Sequence, residues 1–214
     1  MAEIAEEKSI DCIMIPGGMP PRACLAYSLT QLFFVLSYHK IISDDFKNHL
    51  KSSIVLLNEQ EENIRSEAKT AAGKLLNKIP VIYSTALSEA VCVRFRQQLN
   101  ENAKTLCWHH VFPELNHNEL VGWREKNENL AVVIFRNKND YERVNTRIEI
   151  SKPIFQSCTS TLVELFSKGN SNIENAIYLI HLGDWISWFL SEMKGVDATE
   201  VNVIAHLKSE LAKT

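Results

Sequence analysis

The stretch LAVVIF at residues 130–135 leaves this chain few ways to fold. Six apolar residues in a row, three of them β-branched, read as a strand with no polar face. Such a strand must be covered on both sides, as happens when helices pack on the two faces of a parallel sheet. The neighbouring segments agree. Apolar runs at 12–15, 79–83 and 105–109 read as strands, the first stopped by Pro16-Gly17-Gly18 and the second carrying Pro80 near its start. A further strand is expected at 154–158.

Between these runs lie segments with helical spacing. They cover residues 2–8, 25–39, 44–57, 59–76, 84–99, 139–149, 172–193 and 198–212, with a long loop and a short helix at 111–123. Pro20-Pro21 suits the start of the second helix, and Gly195 suits the end of the long one. Strands alternating with helices give an α/β fold with a parallel sheet. The best boundary lies in the helical stretch 58–77, just before the strand at 79. Residues 1–57 hold one strand and two helices besides the helix tail at 2–8, too little for a parallel sheet of their own.

Charge and cysteine usage exclude several function classes. A formal charge of -3 offers no basic field, so neither nucleic acid nor a membrane surface is expected as a partner. No apolar run reaches the roughly 18 residues of a membrane span. The opening MAEIAEEKSID is acidic, unlike a secretory signal. Cys12, Cys24, Cys92, Cys107 and Cys158 form no CxxC pair and sit mostly in apolar stretches, so they read as buried thiols of a reducing cytoplasm rather than a disulfide frame.

Taken on their own, the candidate site residues have plain readings. Glu101 would be a solvated carboxylate at a helix end, and Lys208 a solvated lysine on an outer helix face. His117 lies near His109, His110, Glu114 and Glu119, which raises the question of a metal, but the spacing fits no HExxH or similar template. Arg22 follows two prolines at a helix start, where the helix dipole disfavours a cation. Glu119 reads as structural, closing the short helix. Trp123, Trp185 and Trp188 read as core or interface residues, and His181 with Asp184 as a packed polar pair three residues apart.

Three stretches, in this order, carry more information: IPGGMPPRA at 15–23, QQLNENAK at 97–104 followed by ELNHNELVGW at 114–123, and YLIHLGDWISWFL at 178–190, which leads to a terminal helix containing LKSEL. Together they resemble the bifunctional phosphoglucose/phosphomannose isomerases, over essentially the whole chain. The resemblance implies sugar isomerase (SIS) domains, each a three-layer α/β/α sandwich around a parallel five-stranded sheet. Residues 1–57 would then be the C-terminal part of a first SIS domain, 58–78 a connecting helix, and 79–214 the second SIS domain. In that family a half domain with glycine-rich and Ser/Thr-rich loops precedes the PGG-PPR stretch and holds the phosphate at helix N-termini. The residues before Ile15 do not supply it, so turnover by this chain alone is expected to be impaired.

The reaction implied is aldose–ketose isomerisation, interconverting glucose 6-phosphate or mannose 6-phosphate with fructose 6-phosphate through a cis-enediol. It needs no cofactor and no metal. The resemblance matches Glu101 to the base that moves a proton between C1 and C2, and His117 to the acid/base that opens the sugar ring from the neighbouring subunit of a homodimer. It matches Arg22 to the cation that stabilises the enediolate. A lysine on the last helix assists ring opening, here Lys208 with Lys213 as the alternative. Thr199 is a candidate for the small residue that leaves room for both C2 epimers. The competing expectation is a non-catalytic SIS module that binds sugar phosphate or dimerises without turnover.

Overall fold

The computed structural model describes residues 2–213. The chain divides into two compact units, with the division after Asn48. The first contains helix α1 (Ala2–Glu7), a 3-10 turn at Pro21–Ala23 and helix α2 (Leu25–Tyr38). Among its described residues there is no strand. The run at 12–15, expected as a buried strand, is irregular, with Ile13, Met14 and Ile15 exposed. A lone apolar run has no neighbour to satisfy its backbone N–H and C=O groups, and so does not become a strand by itself.

The second unit carries the sheet. Its strands are β1 (Ile79–Thr85), β2 (Trp108–Phe112), β3 (Leu130–Arg136) and β4 (Leu162–Phe166), all parallel, in the order β2-β1-β3-β4. The helices are α3 (Phe46–Leu75), which begins at the junction, α4 (Glu89–Glu101), α5 (Glu142–Cys158), α6 (Asn172–Lys194) and α7 (Asn202–Leu211). Among the described residues four strands stand where the resemblance implies five. The crossover from β1 to β2 moves one way across the sheet and that from β3 to β4 the other. Right-handed crossovers in opposite directions place their helices on opposite faces. Accordingly α4 packs with α3 and α6 on one face, and α5 packs on the other.

Alternation along each strand sorts the side chains between two cores. Ile82, Val133, Phe135, Val163 and Leu165 face α3, α4 and α6, whereas Val81, Tyr83, Val132 and Ile134 face α5. This is why residues 130–135 had to be apolar throughout.

Several element boundaries differ from expectation. The strand expected at 105–109 is β2, which starts only at Trp108. The two helices expected at 44–57 and 59–76 are one, α3, because Ile64, Ala68, Ala71, Ala72 and Leu75 continue a single buried stripe. The segment at 154–158 is not a strand. It continues α5 through Pro153, since Ile148, Ser151, Phe155 and Cys158 keep the helical spacing of the buried face. The fourth strand is instead LVELF, which alternates buried Val163 and Leu165 with Glu164, whose carboxylate accepts from Arg136 and Lys152. Helix α6 fulfils its expected end: Gly195 adopts the left-handed conformation at φ 65°. Its start is set by Ser171, whose hydroxyl accepts from the Glu174 N–H. Among the described residues no helix is long and apolar enough to cross a membrane.

Candidate active site

Glu101 is the last residue of α4 and is half-buried. Helix α4 forms because Val91, Cys92, Phe95, Gln98 and Leu99 recur at helical spacing and bury one face against the sheet and α6. Just beyond it the chain turns sharply. Lys104 takes a left-handed backbone at φ 50°, and the Thr105 N–H donates to the Leu99 carbonyl at 3.1 Å. The Lys104 side chain then folds back. Its ammonium donates to three carbonyl oxygens, those of Glu101 at 2.6 Å, Asp197 at 2.8 Å and Glu200 at 2.8 Å. From the end of α6, Lys194 donates to Thr105 Oγ1 at 2.7 Å and to the Lys104 carbonyl at 3.3 Å, and its partial burial lowers its pKa. Asn102 donates to Ser187 of α6 at 2.9 Å. Glu101 therefore lies where α4, α6 and the 197–200 turn are tied together.

That turn leads into α7. Thr199 is exposed, and its N–H and hydroxyl both donate to Asp197 Oδ1, at 2.8 and 2.7 Å; the hydroxyl is the first cause holding the Asp197 carboxyl below the usual range. Lys208 is exposed on α7, a helix that buries none of its residues. Lys213 lies just past it, paired with Glu210 at 2.6 Å.

His117 is exposed at the end of a 3-10 turn, Glu114–His117, that follows β2. The loop is anchored on both sides of it. Leu115 is fully buried in the core facing α5, and Asn116 donates to Ser151 of α5 at 3.0 Å. On the other side Glu119 opens, rather than closes, a second 3-10 turn, Glu119–Gly122. Its carboxylate accepts from the Tyr83 hydroxyl of β1 and from the Trp108 indole of β2, the latter at 3.0 Å. Trp123 donates to the same Tyr83 oxygen at 2.9 Å and stacks edge-on against Phe155, which makes it a core residue. Burial, and then the bond to Glu119, push the Tyr83 phenol well above its ordinary pKa. Beside this loop opens a cleft of about 700 Å³, lined by Trp108, Glu119, Trp123, Arg124, Lys126 and Leu130.

The other histidines near His117 do not gather around it. His110 Nδ1 accepts from the Val111 N–H at 2.8 Å, and His109 Nε2 lies 4.0 Å from Glu89. Burial first, then Arg96, keep the His109 pKa low. Among the described residues no three His, Cys, Asp or Glu side chains converge as a metal site would need.

Arg22 belongs to the first unit. It is half-buried in the Pro21–Ala23 turn, and α2 starts only at Leu25, so it stands ahead of the helix rather than in its first turn.

Glu101 and His117 are not brought together within one chain. Leu99 and Ala103, on either side of Glu101, pack in the core facing α3, α4 and α6; Leu115 and Leu120, on either side of His117, pack in the core facing α5. The sheet lies between them. Nor does either sit at the place where open parallel sheets usually bind ligands, the crevice at the carboxyl ends of β1 and β3 where the strand order reverses. There Asp140 accepts from Thr85 Oγ1 at 2.5 Å and from the Asn137 N–H at 2.9 Å. A carboxylate at that position repels a phosphate.

Two pairings were not legible in the sequence. His181 and Asp184 are not each other's partners: His181 meets Glu61 of α3 at 3.0 Å, and Asp184 takes a two-pronged bond from Arg94 together with one from Gln98. Both partners lie about 90 or more residues away, where spacing gives no signal. The Lys104 bonds were missed for the same reason, although the lysine stands three places after Glu101 in NENAK.

Comparison with known proteins bears on this arrangement. The chain is 32% identical to the bifunctional phosphoglucose/phosphomannose isomerase of Aquifex aeolicus over 100% of its length and 65% of that protein's. It is 33% identical to the enzyme of the same name from Caldicellulosiruptor bescii, over 100% of this chain and 66% of that one. It thus spans just under two thirds of the curated relatives it matches. Among solved structures it shares a fold with a glucose-6-phosphate isomerase like protein from Thermus thermophilus, at a TM-score of 0.53 and 23% identity, covering 66% of this chain and 46% of the other. The profile described as bacterial phospho-glucose isomerase C-terminal SIS domain matches residues 64–211, a span that runs from the middle of α3 to the end of α7 and takes in Glu101, His117 and Lys208. By that match the chain belongs to the bacterial phospho-glucose isomerase C-terminal SIS domain family.

Proposed function

We propose that this chain is the C-terminal portion of an aldose–ketose isomerase that interconverts glucose 6-phosphate or mannose 6-phosphate with fructose 6-phosphate. Residues 1–57 are read as part of a first SIS domain, 58–78 as a connecting helix and 79–214 as the second. The observation that carries the reading is the division of the candidate residues by the sheet. Glu101 is held on one face at a braced helix end, while His117 is displayed, exposed, on an anchored loop of the other. Two residues so separated serve one substrate only if a second copy supplies one of them, which is the homodimeric shared site that the resemblance implies.

In this reading His117 of one subunit protonates the ring oxygen and opens the sugar, as an imidazole can near neutral pH. Lys208, or Lys213, assists from α7. Glu101 of the other subunit removes the proton alpha to the carbonyl and returns it to the adjacent carbon. Arg22 meets the negative charge of the enediolate. The substrate's carbonyl accepts the electrons, so no cofactor enters. The carboxylate of Asp140 at the usual crevice supports a phosphate held elsewhere, by another part of the assembly. The setting is cytoplasmic, in keeping with free thiols throughout the described residues.

The test is conversion of fructose 6-phosphate by the full-length protein, followed by NMR, with mixed full-length variants. The expected result is that both glucose 6-phosphate and mannose 6-phosphate form, and that Glu101→Gln and His117→Ala are each inactive. Mixed, they recover part of the activity, because one composite site in each heterodimer is intact. Stabilisation by fructose 6-phosphate without any conversion would instead identify a binding module.

A further inference from the structure

We propose that Lys104 is a positioning residue for the base: its ammonium fixes the Glu101 end of α4 against the 197–200 turn, so that Glu101 and the helix bearing Lys208 are presented in one geometry. This rests on the reading of Glu101 as the base.

Three observations carry it. The first is saturation. An ammonium has three protons, and here all three go to backbone carbonyls: one at the end of α4 and two in the turn that starts α7. Its hydrogen-bond partners are all carbonyl oxygens, with the Asp197 carboxylate adding a charge attraction nearby, so the group acts as a three-way brace between the helix end and the turn. The second is the backbone. Lys104 is in the left-handed region, which a side chain with a Cβ rarely adopts and where glycine is the usual choice. A lysine in that conformation whose ammonium is also bonded to three carbonyls points to a use for its side chain. The third is reinforcement from α6. Lys194 grips the Lys104 carbonyl and Thr105 Oγ1, and Asn102 bonds Ser187. These ties near Glu101 all lead to α6 or to the approach to α7.

The brace matters because α7 buries none of its residues. Packing does not set its position, so the 197–200 attachment has to. A base must lie within hydrogen-bond reach of the proton it takes, and a displacement of about 1 Å can cost on the order of 100-fold. Loss of the brace should therefore appear in the chemical step more than in substrate binding.

Two variants separate positioning from plain stability. Lys104→Met keeps the stem and loses the donors. Lys104→Gly loses the side chain but relaxes the left-handed backbone, so the turn itself is favoured. In both, kcat for fructose 6-phosphate should fall about 10-fold or more while KM stays within about 2-fold. Lys104→Arg, which keeps a donor of similar reach, should recover part of kcat. Independently of turnover, amide hydrogen exchange in residues 102–105 and 196–201 should rise about 10-fold in the Met and Gly variants, with β1 and β3 unchanged. Unchanged exchange in those two segments overturns the proposal, as does an unchanged kcat in an active protein. A full-length wild-type protein that turns over no sugar phosphate would count against the isomerase reading instead, and the exchange result then decides on the brace alone.

Discussion

Replacing Glu119 by alanine should loosen the His117 loop by an amount that can be worked out from its two bonds. The Tyr83 hydroxyl donates to the Glu119 carboxylate, and Tyr83 is fully buried. Without that acceptor the hydroxyl of a buried ring is left unpaired unless water from the adjoining cleft replaces it, and an orphaned buried donor costs about 1–3 kcal/mol. The other donor, the Trp108 indole, belongs to a side chain 40% exposed; it rehydrates and adds little. Trp123 still donates to the Tyr83 oxygen, so that bond is kept. The expected loss is therefore about 1–3 kcal/mol, or a fall in melting temperature of several degrees at about 2–4 °C per kcal/mol for a unit of this size. Tyr83→Phe removes the same bond from the other end and leaves the Trp123 N–H without its acceptor. Since the two substitutions share one bond, the double variant should lose less than the sum of the singles, by about 0.5–3 kcal/mol. Urea unfolding followed by tryptophan fluorescence measures all three. If the losses add to within about 0.3 kcal/mol, the carboxylate does not anchor the loop through Tyr83, and the account of how His117 is presented is wrong.

In the full-length protein Glu101→Gln keeps the shape of the base and removes its function; isomerisation should fall about 100-fold or more with sugar-phosphate binding retained, measured by kinetics beside calorimetry. Turnover should not respond to EDTA, and recovery by added zinc after such a loss would point to the histidines near His117. Glu174, whose carboxylate accepts from the Asn170 N–H and from Ser171, has a pKa held below the usual value, the backbone bond being the first cause. Its stabilising effect is complete above the unfolded carboxylate pKa of about 4.3 and is lost as pH falls through the lower folded value. Glu174→Gln should accordingly lose less stability between about pH 5 and pH 3 than the wild type does, in melting curves taken across that range. Among the cysteines, Cys12 is exposed, whereas burial pushes the Cys92 thiol up to about 12 and the Cys107 thiol up to about 11. A colorimetric thiol reagent at pH 8 should modify Cys12 first, and Cys12→Ser should remove the fast phase.

The sequence by itself determined the class of fold. A strand such as LAVVIF, apolar on both faces, has no stable surroundings except between two layers of helices, and the local signals at Ser171 and Gly195 set the ends of α6 without help from elsewhere. Glu101 and His117, by contrast, read plainly by type and spacing, and became candidates only through the resemblance carried by the contiguous stretches NENAK and ELNHNELVGW. What it could not reveal is whatever depends on the partner across the fold. Residues 12–15 looked like a strand because hydrophobicity is local, but becoming one needs a neighbour. The run at 154–158 likewise looked like a strand after a helix ending at 149, yet burial of Ile148, Ser151, Phe155 and Cys158 on one face carried α5 through Pro153. Arg94 with Asp184, His181 with Glu61, and Lys104 with the 197–200 turn are pairings across long separations, set by which helices share a face of the sheet. Only tertiary structure put Glu101 and His117 on opposite faces, because the handedness of the crossovers, and not the 15 positions between the two residues, decides where each one lies.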